Sequence, residues 1–78
     1  MSTTNQTLTL IVRDAPGVLV RIAHVFARRS FNITSIVVKP QEGGVWSTMT
    51  IVVRSAAHPD QLARQLEKLV DVKSVSIS

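Results

Sequence analysis

Residues 7–29 decide the fold: Thr7-Leu-Thr-Leu-Ile-Val-Arg13, then Asp14-Ala-Pro-Gly17, then Val18-Leu-Val-Arg-Ile-Ala-His-Val-Phe-Ala-Arg-Arg29. In the first run Leu8, Leu10 and Val12 recur at every second position, the period of a half-buried strand. Asp14 and Pro16 break that run, and an acid followed by Pro is a helix-start signature because Pro has no N–H to lose in a first turn. In the third run Leu19, Ile22, Ala23 and Phe26 recur at i, i+3, i+4 and i+7, one apolar stripe of a helix. Val18 and Val25 form a second apolar edge beside it. The period thus switches from two to 3.6 across one Pro-Gly turn.

Working outward, Ser30-Phe31-Asn32 ends the helix, with Arg28 and Arg29 placed where cations complement its C-terminal dipole. Residues 33–39 are β-branched again, residues 40–44 form a turn cluster, and residues 45–54 read as a further strand, so the pair predicts a hairpin. A second helix starts at Pro59-Asp60, with Leu62, Leu66 and Leu69 as its stripe and Ala63 and Val70 beside it. Val72, Val75 and Ile77 mark a last strand. The order β-α-β-β-α-β predicts an α+β, ferredoxin-like sandwich: a four-stranded antiparallel sheet with two helices on one face. Residues 1–6 read as a flexible segment and 7–78 as a single domain. The other sheet face has no helix left to cover it, and Ile11, Ile36 or Val37, and Val52 are expected to seek a partner there.

Seventy-eight residues leave no room for a second catalytic module. A chain of this size buries only about 60% of the surface that its unfolded form exposes, so a lone monomer is marginal. Cysteine is absent, which excludes disulfides and thiolate metal sites. His24 and His58 lie far apart, without a second ligand at metal spacing, and read as a helix-surface and a loop residue. With 45% hydrophobic residues in so short a chain, oligomerisation is the expected supplement to the core. The net charge of +4 is scattered, with only Arg28 and Arg29 adjacent, so no nucleic-acid tract stands out. Met1 to Thr7 lacks the pattern of a signal peptide, and no run reaches the ~18 apolar residues of a membrane span. A cytoplasmic protein is expected, with neither membrane nor nucleic acid as partner.

No nucleophile–base pair, Gly-x-Ser-x-Gly element or phosphate-binding Gly-rich loop occurs, so no catalytic residue, cofactor or metal is assigned. The informative segment is Arg13 to Leu19. A helix N-terminus offers unpaired N–H groups to a carboxylate, Gly17 permits close approach, and Asp14 could take an ammonium, which together describe an amino-acid site. The same residues also read as an ordinary start in which Asp14 caps, Pro16 begins the helix and Gly17 permits the turn.

Asp14-x-Pro16-Gly17-Val18-Leu19, followed by Phe26-Ala27-Arg28-Arg29-x-Phe31-Asn32-Ile33, resembles the ACT domain, the small-molecule regulatory module of amino-acid metabolism. The run from Phe26 to Ile33, with Leu66-x-Lys68-Leu69-Val70-Asp71-Val72, is most similar to the regulatory (small) subunit of acetohydroxyacid synthase, also called acetolactate synthase. The similarity covers about residues 7–77. It implies a regulator without catalytic residues that forms a homodimer through sheet edges and acts on the catalytic (large) subunit, a thiamine-diphosphate-dependent enzyme. A branched-chain amino acid such as valine would bind between protomers for feedback control. On this resemblance Gly17, Val18 and Leu19 offer N–H groups to the ligand carboxylate and Asp14 faces its polar end. Asn32 and Ile33 close the site from across the dimer. Asn32 also reads as a left-handed turn residue. Asp14 stands where those subunits often carry Asn, which leaves the identity of the amino acid open. The chain is similar to the short, single-domain form of the subunit. Arg28-Arg29 and Trp46 are candidates for docking the large subunit, although dipole complementation and core packing also account for them. A free-standing ACT sensor of another enzyme, and a ferredoxin-like RNA-binding module using the open sheet face, are the alternatives.

Overall fold

In the computed structural model, which describes residues 4–29, 31–55 and 59–78, the alternating first run becomes β1 (Thr4–Arg13). It begins earlier than its pattern announces, so residues 4–6 of the segment expected to be flexible belong to the strand. There follow α1 (Val18–Arg28), β2 (Asn32–Pro40), β3 (Trp46–Ser55), α2 (Asp60–Glu67) and β4 (Val72–Ile77). His58 lies outside the described residues.

The strands form one antiparallel sheet in the order β2-β3-β1-β4, so β3 is inserted between β1 and β2. This is the ferredoxin-like arrangement. Register fixes which residues share a face. Leu8, Leu10 and Val12 of β1 stand on the helix side with Ser47, Met49, Ile51 and Val53 of β3, and all seven are buried. Phe26 and Ile22 of α1 and Leu62 and Leu66 of α2 close the core over them.

The buried stripe of α1 is Val18, Ile22, Val25 and Phe26, whereas Leu19 is 45% exposed and Ala23 is half-buried. The expected stripe is therefore rotated toward the Val18–Val25 edge. The helix begins with Gly17, in a left-handed conformation at φ 83°, and no side chain caps it. Asp14 is not the cap, because a residue at positive φ ends the helical path and leaves 14–17 as a loop. In α2 the helix stops at Glu67, and successive tight turns carry the chain from Leu66 to Val72. Val70 thereby leaves the helix face and is 89% exposed.

The open sheet face carries Thr7, Thr9, Thr48 and Thr50 with Ser35, Ser74 and Ser76, and among these Ile11, Val37 and Val52 are isolated. It is less apolar than the sequence suggests, since hydroxyl residues alternate with the aliphatic ones. Trp46 is half-buried, outside the core, with the Lys73 ammonium 5.2 Å from its ring centroid. No helix of the described residues is long and apolar enough to cross a membrane.

Candidate functional site

The loop 14–17 is anchored at its start by two backbone hydrogen bonds, since a segment leaving a central strand must find acceptors outside the ladder. The Asp14 N–H donates to the Val45 carbonyl (2.8 Å), in the loop between β2 and β3. The Arg13 N–H donates to the Asp71 carbonyl (2.7 Å), in the turn before β4. Inside the loop the Val18 N–H reaches the Ala15 carbonyl at 3.3 Å. The N–H groups of Gly17 and Leu19 make no backbone hydrogen bond among the described residues. Two of the three amides expected to meet a carboxylate are therefore unclaimed, and the third is in use.

Beneath the loop lies a recess of about 50 Å³. Val12, Ser47 and Met49 form its floor on the central strands, Ala15, Val18 and Leu19 its helix side, and Val38 its flank on the edge strand; Arg13 and Asp14 complete the lining. Apart from Arg13 and Asp14, the lining is apolar except at one point. The Ser47 side chain is 1% exposed and its Oγ has no hydrogen-bond partner. Sequence reasoning missed Ser47 and Val38. The available signal for Ser47 was its parity with Met49, Ile51 and Val53, which sets a hydroxyl in the inward row.

Asp14, Val18 and Leu19 thus meet at the recess, with exposed Gly17 just above Val18 in the chain. Asn32 and Ile33 do not join them. Arg13 pairs with Trp46 and Asn32 with Arg54, eight residues along β3, which at ~3.3 Å per residue puts Asn32 about 26 Å away at the far end of the sheet. Within one chain these residues cannot touch one ligand.

β2 is an edge strand, and its middle carries Ile36 (37% exposed), Val37 (46%) and Val38 (42%). A second groove, of about 280 Å³, lies between the ends of α1 and α2, lined by Val25, Arg28, Arg29, Gln65 and Leu69. Neither arginine has an ion pair among the described residues, whereas Arg21 pairs with Asp71. The described residues also contain no cluster of three His, Asp or Glu side chains that could hold a metal.

A βαββαβ sheet with a small recess under the first loop and an unpaired β2 edge beside it has the architecture of an ACT domain. The ACT domain of the GTP pyrophosphokinase of Chlorobium tepidum superimposes over the whole chain and 89% of its own, with a TM-score of 0.78 at 19% identity, a likeness of fold alone. The chain belongs to the AHAS small subunit-like ACT domain family, whose model matches residues 8–74. The acetolactate synthase small subunit of Mycobacterium leprae is 47% identical over 70 residues, 88% of this chain and 41% of that protein. The crystal structure of the acetolactate synthase small subunit from Thermotoga maritima matches with a TM-score of 0.82 at 34% identity, over 95% of this chain and 47% of that one. The chain therefore spans less than half the length of these relatives.

Proposed function

We propose that this chain is a non-catalytic regulatory domain of acetohydroxyacid synthase. It dimerises through β2, binds a branched-chain amino acid such as valine at the dimer interface, and adjusts a separate thiamine-diphosphate-dependent catalytic subunit in the cytoplasm. The observation that carries this reading is the sheet register. Asp14 and Gly17 stand at one end of the sheet and Asn32 and Ile33 at the other, with the free β2 edge running between the two ends. Antiparallel pairing of β2 with a second copy of itself brings the start of one β2 beside the end of the other. The partner's Asn32 and Ile33 then approach the Val38–Pro40 end, next to the recess, and one interface holds two equivalent sites.

In that arrangement the free amides of Gly17 and Leu19 receive the carboxylate, favoured by the positive end of the α1 dipole. Asp14 is exposed and takes the ammonium, and the aliphatic recess takes the side chain. Regulation follows from linkage: the amino acid changes activity only as far as it binds one state of the complex better than the other. Arg28 and Arg29, exposed beside the groove between the helix ends, offer the catalytic subunit a basic contact.

Thermal denaturation with millimolar valine, leucine and isoleucine tests the reading. The melting temperature is expected to rise as stability increases by RT ln(1 + [L]/Kd), and Gly17→Asp is expected to abolish the rise by placing a carboxylate where the ligand's must sit. Absence of any shift, or a full shift in the variant, defeats it. Co-purification with a synthase large subunit, rather than with another enzyme, identifies the target.

A further inference from the structure

Ser47 is the one polar side chain among the buried core residues described, and it sits in the floor of the amino-acid recess with its hydroxyl unpartnered. A hydroxyl removed from water without a partner is unfavourable, and native proteins rarely keep one. No protein group relieves it: the charged side chains in the lining are those of Arg13 and Asp14, and neither bonds to the hydroxyl. A ligand hydroxyl seated in the recess would supply the missing partner.

We propose that Ser47 determines specificity in this site by letting the recess accept a hydroxylated side chain, so that threonine is bound about as well as its isostere valine. This rests on the reading of the site as an amino-acid site. The recess, at about 50 Å³, is several times the ~10–15 Å³ that admits one water, which suits a short β-branched group and no ring. Valine and threonine fill the same shape and differ in one branch, a methyl in place of a hydroxyl. A wholly aliphatic recess would strip the threonine hydroxyl of water and return nothing, favouring valine by roughly ten- to a hundredfold. Opposite Ser47 each hydroxyl can donate to or accept from the other, and both are satisfied. Valine in the same place leaves Ser47 unpaired, so it gains no corresponding advantage.

The test is calorimetric titration of the full chain, wild type and Ser47→Ala, with L-valine and L-threonine. In the wild type the two dissociation constants are expected to agree within about threefold. In Ser47→Ala valine is expected to bind as before or slightly tighter, and threonine at least about tenfold more weakly. Ser47→Cys, of nearly the same shape with a weaker donor, is expected to fall between them and serves if the alanine variant folds poorly. A wild type that binds valine but discriminates tenfold or more against threonine overturns the role of Ser47 and leaves the amino-acid site standing. So does an alanine variant whose preference is unchanged, the result expected if a resident water already satisfies the hydroxyl. Binding of neither amino acid overturns the site and this inference together.

Discussion

The two edges of the sheet are built differently. Each edge strand has one register shift, around Lys73 in β4 and around Thr34 in β2, but β4 covers only six residues and exposes Ser74 and Ser76. Those are the devices that keep an edge strand from pairing further. α2 leads directly into β4 and buries Leu62 and Leu66 against the core, so this half is finished. β2 runs for nine residues with Ile36, Val37 and Val38 exposed at its centre, and the helix layer leaves Ile36 and Val38 uncovered although both point to its side. Leu19 and Val45, also exposed, lie on the same half, while Val70 is the large exposed aliphatic of the other. The recess opens on the β2 half alone. One edge is closed chemically, whereas the other has the composition of an interior strand, and the candidate ligand site lies beside the latter.

The largest effect expected from this contrast is on assembly. Ile36→Lys with Val37→Lys places charge in the middle of the proposed β2–β2 interface, and burying it should weaken the dimer by at least ~2 kcal/mol, roughly thirtyfold. The matched pair Ser74→Lys with Ser76→Lys adds the same charge to β4 and is expected to leave the dimer intact. Sedimentation velocity over a concentration series reads both. Equal effects, or a dimer lost only in the β4 pair, would reverse the assignment of the edges. Because the proposed site spans two copies, the β2 variant should also lose its thermal response to valine.

A smaller effect is expected at the start of α1. Gly17 has φ 83°, and a Cβ built there meets nothing within 4 Å, so Gly17→Ala is strained by its backbone and not by contacts. A loss of about 1 kcal/mol in urea unfolding is expected. Val70→Ala, on the finished half and almost fully exposed, should change stability by less than ~0.5 kcal/mol. A Gly17→Ala variant as stable as wild type would mean that the loop relaxes freely and that the left-handed Gly17 does not fix where α1 begins.

The fold is legible in the sequence, whereas the contrast between its edges is not. The switch of period around Pro16-Gly17 gave the strand–helix order, and the same reading of the remaining segments gave the βαββαβ fold. The rotation of α1 was not legible, because Val18, Leu19, Ile22, Ala23, Val25 and Phe26 make an apolar arc wider than the core needs. Which edge of the arc is buried depends on where the helix starts, and that is set by the left-handed Gly17 and not by Asp14 or Pro16. Val70 was misplaced for a similar reason: apolar spacing continues past Glu67, but the backbone turns there. In the candidate site, the local segment 14–19 could be found from helix-terminus chemistry. Ser47 could not, because an inward hydroxyl looks like any other serine until its neighbours and its missing partner are known. The separation of Asn32 from Asp14 needed the register of two strand pairs.

The smallest effect expected tests whether the finished half contributes to the site at all. Asp71, in the turn before β4, accepts the Arg21 guanidinium at 2.7 Å, and its carbonyl accepts the Arg13 N–H at the base of the ligand loop. The ion pair is exposed on the arginine side, 56% against 19% for Asp71, and such pairs contribute about 0–1 kcal/mol. The loop is held instead by the backbone bond, which any residue at position 71 can make. Asp71→Asn and Arg21→Gln should therefore each reduce stability by no more than ~1 kcal/mol, with amino-acid affinity unchanged within about twofold. High salt should shrink the stability difference further, since an exposed pair is screened. A loss of affinity well beyond twofold in Asp71→Asn would show that the carboxylate, and not the peptide, positions Arg13 and Asp14. In that case the turn before β4 belongs to the ligand site, and the two halves of the sheet are coupled where their surfaces say they are separate.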